Sequence, residues 1–151
     1  MKKGVDYIGV GVGAVIVNRE GKIFLSKRGK GAYNEKGTWE CPGGAMHFGE
    51  SLEETIVREI QEEFDFTIQP IEQLEPFNHI IPEEKQHWIA LCFICIPVKG
   101  TPMIQEPEKC EKIGWFTVEE MGRMTLTTAT RYRWKQIKEK YPKGFPNYYE
   151  R

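Results

Sequence analysis

From Gly9 to Val17 the chain alternates glycine with apolar, mostly β-branched residues, a pattern that predicts a strand. Asn18-Arg19-Glu20-Gly21 predicts a turn, and Lys22 to Ser26 reads as a second strand, so the two are expected to form a hairpin. Lys27 to Gly37 turns polar, with Lys27, Arg28, Lys30 and Lys36 among glycines, and reads as a flexible, positively charged surface loop. Trp39 to Cys41 is a short strand that Pro42-Gly43-Gly44 is expected to stop.

The apolar period then changes. Ser51 and Glu54 have the spacing of a capping box, and no Gly or Pro interrupts the chain to Phe64. Leu52, Ile56, Val57, Ile60 and Phe64 form the apolar arc of the helix so predicted. Pro70 is expected to mark a break, and Pro76 to stand at the start of a strand over Phe77 to Ile81. His87 to Ile96 is nearly continuous in apolar residues and reads as a central strand. Thr101 to Glu111 is a proline-containing loop, followed by a short strand over Ile113 to Phe116 and a helix start capped by Thr117 and Glu120. A last helix runs from about Thr127 to Lys140, with Thr130, Trp134, Ile137 and Tyr141 on one face. No repeat, linker or low-complexity stretch appears.

Length and charge narrow the class. The 151 residues predict one domain, residues 1–151. Lys plus Arg total 21 against 22 Asp plus Glu, for a net charge of −1, which speaks against a general grip on nucleic acid polymer. Four cysteines are too few for a disulfide scaffold, and a cytoplasmic protein is expected. Lys2 and Lys3 precede an apolar run, but Asp6 interrupts the approach and no small-residue cleavage site follows, so a strand is preferred to a signal peptide. No apolar stretch approaches the roughly 18 residues of a membrane span.

The chemistry concentrates between Gly43 and Phe66. Glu59, Glu62 and Glu63 share one helix face, where like charges three and four apart repel. A solvated acidic face is the plain reading. Position argues for more, because the carboxylates follow a glycine turn that can bring backbone carbonyls close. Carboxylate and carbonyl oxygens together are the ligand set for Mg²⁺ or Mn²⁺.

This stretch resembles the Nudix box, G-x₅-E-x₇-R-E-U-x-E-E-x-G-U, where U is a bulky aliphatic. Gly44, Glu50, Arg58-Glu59-Ile60 and Glu62-Glu63 fall in place. Asp65 stands where the family has glycine, and Phe66 is aromatic where an aliphatic is usual. Gly9-Val10-Gly11-Val12, Leu25-Ser26-Lys27-Arg28 and Glu106 to Glu111 extend the likeness toward the MutT-like nucleoside triphosphate pyrophosphatase branch. The resemblance implies an α/β fold, an α/β/α sandwich with a mixed central sheet. It implies Mg²⁺, with Mn²⁺ as alternative, held by Glu59, Glu63 and the Gly44 carbonyl. Glu62 would be a ligand or general base, Glu50 would complete the acidic cluster, and Arg58 would orient a carboxylate. Arg28 is a candidate phosphate clamp. Glu108 and Glu111 are candidates for a further glutamate that relatives recruit, but Gly114 precedes Trp115 where some relatives carry Glu.

The implied activity is hydrolysis of nucleoside di- or triphosphates to a monophosphate plus phosphate or pyrophosphate. The alternatives are a nucleotide-sugar or dinucleoside-polyphosphate hydrolase, and a non-catalytic nucleotide sensor, which the intact set of box glutamates disfavours. The expected partners are a small nucleotide and a second copy of the chain, without a membrane. Cys92 and Cys95 spell C-x-x-C, but on a strand they face opposite sides and read as reduced thiols. His47, His79 and His87 are scattered, with no role expected. Tyr7, Phe77 and Trp88 are either base-stacking or core aromatics. Phe145, Tyr148 and Tyr149 are either packed on their own domain or part of a subunit contact.

Overall fold

A computed structural model describes residues 1–150. In chain order the elements are β1 (Gly9–Ile16), β2 (Ile23–Arg28), β3 (Trp39–Glu40), β4 (Gly43–Ala45), α1 (Leu52–Phe64), β5 (Thr67–Ile81), β6 (Gln86–Lys99), β7 (Cys110–Phe116), α2 (Val118–Met121) and α3 (Thr128–Lys140). One sheet has the order β4-β1-β6-β5, and the other β3-β2-β7. The first sheet is mixed: β1 and β6 run parallel, and the outer pairs antiparallel.

Side-chain alternation sends the two faces of the strands to different helices. Val12, Ala14, Ile16, Phe93 and Cys95 pack with Ile56, Ile60 and Phe64 of α1. Val15, Val17, Cys92, Ile94 and Ile96 pack with Met121, Leu126 and Ile137 on the α3 side. The result is the expected α/β/α sandwich. Full burial of each such aliphatic contributes on the order of 1.5–3 kcal/mol. It also separates Cys92 from Cys95 across the sheet, as the strand period requires.

Four sequence expectations are corrected. β1 and β2 do not form a hairpin; they enter different sheets, and Val17, just past β1, makes an isolated bridge to Ile23. Both edges of β1 are already taken by β4 and β6. Gly43-Gly44 does not end strand structure but forms β4, because a bare backbone fits there: a Cβ on Gly43 would lie 2.4 Å from the Val12 carbonyl oxygen. Pro70 does not break the chain, and no strand begins at Pro76. β5 runs through both as an edge strand, with register shifts between Pro70 and Glu72 and between Leu74 and Phe77 where a missing N–H does little harm. The loop from Lys27 is tied down rather than free, since Gly29 and Gly31 donate to the carbonyls of Lys109 (2.8 Å) and Glu108 (2.7 Å).

The capped helices and the central β6 are as expected. On α3, Thr130 and Ile137 are buried while Trp134 and Tyr141 pack against the core. The tail aromatics pack on their own domain: Tyr148 is buried, and Phe145 and Tyr149 lie against the same core. Among the described residues, no helix is long and apolar enough to cross a membrane.

Candidate active site

The capping box sets the start of α1. Glu54 N–H donates to the Ser51 hydroxyl (3.1 Å), and Ser51 N–H donates to the Glu54 carboxylate (3.0 Å). Burial of Ile56, Ile60 and Phe64 then fixes the rotation of the helix and turns Glu59 and Glu63 toward β4 and the segment before β7. At the other end Asp65 adopts the left-handed conformation (φ 54°, ψ 42°) that the family's glycine would take, and it caps the helix through its N–H to Gln61 O.

Arg58 is the hub. Its Nε donates to Glu50 Oε2 at 2.5 Å and its Nη2 to Glu50 Oε1 at 3.0 Å. Nη1 donates to Glu59 Oε1 (3.0 Å) and Glu62 Oε2 (3.3 Å), and Nη2 also reaches the Ala45 carbonyl (3.2 Å). One guanidinium therefore ties the glycine turn to three of the box carboxylates. Glu50 further accepts from His47 N–H (2.9 Å) and the Thr55 hydroxyl (3.1 Å). The hydrogen bonds from Arg58, then that from His47, hold its carboxyl down at about 2. A carboxylate so saturated with donors orients its neighbours and does not take up a proton near neutral pH.

Glu59 sits against Gly44: a Cβ there would come within 2.1 Å of the Glu59 carboxyl carbon. The missing side chain is what lets the carboxylate approach the turn backbone. Glu63, one turn further along the helix, is half-buried and faces the Glu59 charge. Burial first, then the Glu59 charge, pushes the Glu63 carboxyl up to about 9. Two desolvated carboxylates beside a bare backbone fit a hard divalent cation by donor type and by charge. Glu59, Glu63 and the Gly44 carbonyl would hold it, with Glu62, exposed at the rim, as a further oxygen donor. Among the described residues, no group of three His, Cys, Asp or Glu side chains forms a preformed ligand cluster, and Arg58 engages Glu50, Glu59 and Glu62 instead.

Sequence reasoning missed two carboxylates here. Glu40 and Glu106 both raise the Glu63 carboxyl through their charge. Glu106 arrives because Met103 and Gln105 donate to the carbonyls of Phe64 (2.8 Å) and Glu63 (3.2 Å) at the end of α1. Of the two glutamates singled out from the sequence, Glu111 pairs with Lys27 at 3.1 Å, while Glu108 is exposed and its backbone carbonyl takes Gly31 N–H. The acidic run from Glu106 to Glu111 was the available signal, but its register against α1 is tertiary.

Beside this acidic face lies a cavity of about 360 Å³, whose walls include Gly44, Glu40, Phe77, Trp88 and Arg133. Phe77 stacks on Tyr132 with centroids 4.0 Å apart, and His79 also reaches the wall. Tyr7 is exposed and lies outside the lining. Arg28 is on the wall but not free: Nη1 donates to Glu40 Oε2 (2.9 Å), and Nε and Nη2 donate to Asn34 O (2.8 Å) and Oδ1 (3.0 Å). Burial raises the Glu40 carboxyl in spite of that partner. A larger groove of about 1030 Å³ runs between the β1–β2 turn and the C-terminal tail, and it contains none of the box residues; the chemistry places the site at the smaller cavity.

Comparison with known proteins agrees with this geometry. The MutT NUDIX hydrolase from Burkholderia pseudomallei superposes with a TM-score of 0.79 and 34% identity, over 87% of this chain and 98% of that one. Nudix hydrolase 5 of Arabidopsis thaliana is 29% identical over 112 residues, 74% of this chain and 37% of its own length. The 8-oxo-dGDP phosphatase NUDT18 of Mus musculus is 27% identical over 133 residues, 87% of this chain and 36% of its own. This chain thus spans little more than a third of those plant and mouse relatives. A sequence model of the NUDIX domain matches residues 8–139, and with the box geometry in place the chain belongs to the NUDIX domain family.

Proposed function

We propose that residues 1–151 act as one domain, a divalent-metal-dependent pyrophosphohydrolase of nucleoside di- and triphosphates. The observation that carries this is adjacency: Gly44 belongs both to the acidic face, against Glu59, and to the wall of the cavity that holds Phe77 and Trp88. A phosphate chain at the glutamates would leave its base within reach of those aromatic rings. The relative named as an 8-oxo-dGDP phosphatase supports a nucleotide substrate.

Water would attack one phosphorus of the anhydride, a P–O bond to the bridging oxygen would break, and the proton would leave through a carboxylate. A triphosphate gives nucleoside monophosphate and pyrophosphate; a diphosphate gives monophosphate and phosphate. Bound Mg²⁺, or Mn²⁺, supplies charge neutralisation and lowers the pKa of attacking water. Glu59 and Glu63 hold the cation's position, with Arg58 and Glu50 fixing the turn and the rotamer of Glu59. Glu62 is the exposed carboxylate and the candidate base. Arg28 would meet phosphate by exchanging its contact with Glu40. The MutT-like resemblance also gives the expectation of a homodimer and a cytoplasmic setting. Phosphate and pyrophosphate release across nucleotides, nucleotide sugars and dinucleoside polyphosphates, with EDTA as control, tests the proposal.

A further inference from the structure

The glycines of β1 separate into two kinds. On the α3 side of the sheet, the residues in turn are Gly9, Gly11, Gly13, Val15 and Val17. Val15 and Val17 pack into the core, while Gly11 and Gly13 line the cavity. Gly9 is bare for packing: a Cβ there would stand 2.5 Å from Trp88 Cε3. Gly43 and Gly44 are bare for packing too, as the contacts described above show. Gly11 and Gly13 are different. A Cβ on Gly11 would meet nothing nearer than Trp88 Cε3 at 3.8 Å, and one on Gly13 nothing nearer than the Pro42 carbonyl oxygen at 3.6 Å, both ordinary contacts. Neither glycine has positive φ, so the backbone does not demand glycine either. Glycine inside a strand also weakens it relative to alanine. With conformation and packing removed as reasons, close approach by a ligand remains.

A second feature of the same cavity points to a ligand. Arg133 is only 4% exposed, yet its guanidinium bonds only neutral oxygens: Glu75 O (2.7 Å), Ala90 O (2.9 Å) and Gln136 Oε1 (2.8 Å). Among the described residues no carboxylate pairs with it, which leaves a buried positive charge on the cavity wall without an anion. The guanidinium lies over the Phe77 ring, 4.7 Å from its centroid.

We propose that Gly11 and Gly13 are specificity-determining positions, leaving the β1 backbone bare so that the flat base of the nucleotide lies against it, beside Trp88 and Arg133. This rests on the reading of the cavity as a nucleotide site and names what sets its shape. A side chain at either position occupies the space of the base without disturbing the carboxylates of α1.

The test compares wild type with Gly11→Ala, Gly11→Val and Gly13→Ala. Melting temperatures of the alanine variants should equal or exceed that of wild type. Calorimetric Kd for a nucleoside monophosphate, and KM for the triphosphate, should rise at least about tenfold, the scale on which a methyl group discriminates in a close-fitting pocket. The ratio of kcat/KM for the nucleoside triphosphate to that for ribose 5-triphosphate lacking a base should fall by a similar factor. Folded variants with Kd and KM within about twofold of wild type would overturn the proposal. So would a wild type that binds no mononucleotide. A wild type that binds nucleotides but hydrolyses none defeats the activity reading alone, and the Kd series then decides this one.

Discussion

Glu63 carries the most perturbed carboxyl of the acidic face, and its behaviour follows from burial beside Glu59. Its folded value, about 9, lies above the ordinary carboxylate value of 4.5. Its favourable contribution to stability is therefore present in full below about 4.5 and is lost as pH rises toward 9. Glu63→Gln removes that loss. In EDTA, the variant's melting temperature should stay flatter than wild type between pH 5 and 9, with the gap widest at the alkaline end, as a thermal-melt series would record. On the proposed role of Glu63 as a metal ligand, turnover should fall at least about a hundredfold. Asp65 gives a second prediction. Because its φ is 54°, Asp65→Gly should leave activity intact and change stability by less than about 1 kcal/mol, measured by urea unfolding. Both residues were legible from the sequence because the box is local: cap, arc and carboxylates lie on one continuous helix. Glu40 and Glu106 were not, since one approaches Glu63 through the pairing of β3 with β2 and the other through a loop that folds back on the end of α1. Arg28 was legible as a candidate phosphate clamp, but its partners Glu40 and Asn34 were not, because they meet it only after β2 and β3 pair.

Elements explain where the pattern misled. The alternation in β1 correctly predicts a strand but not its neighbours, because hydrophobic period is blind to pairing. Its parallel partner β6 lies far along the chain. The prolines of β5 suggested a break, yet an edge strand with register shifts accommodates them. β4 was missed because glycines ordinarily signal a turn, whereas here they permit the turn backbone to lie against both β1 and α1. That contact gives a prediction at this scale. Gly44→Ala places a methyl group where the Glu59 carboxylate sits, so the carboxylate must move. Activity should drop at least about tenfold, while stability changes by no more than about 1–3 kcal/mol, the range for overpacking. Steady-state kinetics alongside denaturant melts separates the two effects.

At the scale of the whole molecule, two helices on opposite sides of the sheet divide the work. α1 brings carboxylates to the turn, and α3 closes the cavity with Thr130 and Arg133. The fold class was legible because the Nudix box fixes α1 and the continuous apolar run fixes β6. The cavity was not, since its wall joins β1 to β6 and α3. Tyr148 is buried in the chain's own core, while Phe145 and Tyr149 pack against that core and stay partly exposed. Light scattering at micromolar concentration should return twice the 17.6 kDa chain mass, and a monomer mass would remove the homodimer.

The proposed function joins the acidic face and the aromatic-lined cavity into one hydrolytic site for nucleotides. Its most direct test is product identification by chromatography after incubation with purine nucleoside triphosphates, GDP-mannose and a dinucleoside polyphosphate in Mg²⁺. Triphosphates should give nucleoside monophosphate and pyrophosphate, with release abolished by EDTA, and should outperform the nucleotide sugar in kcat/KM. Cleavage of GDP-mannose with every triphosphate untouched, or turnover indifferent to EDTA, would contradict it.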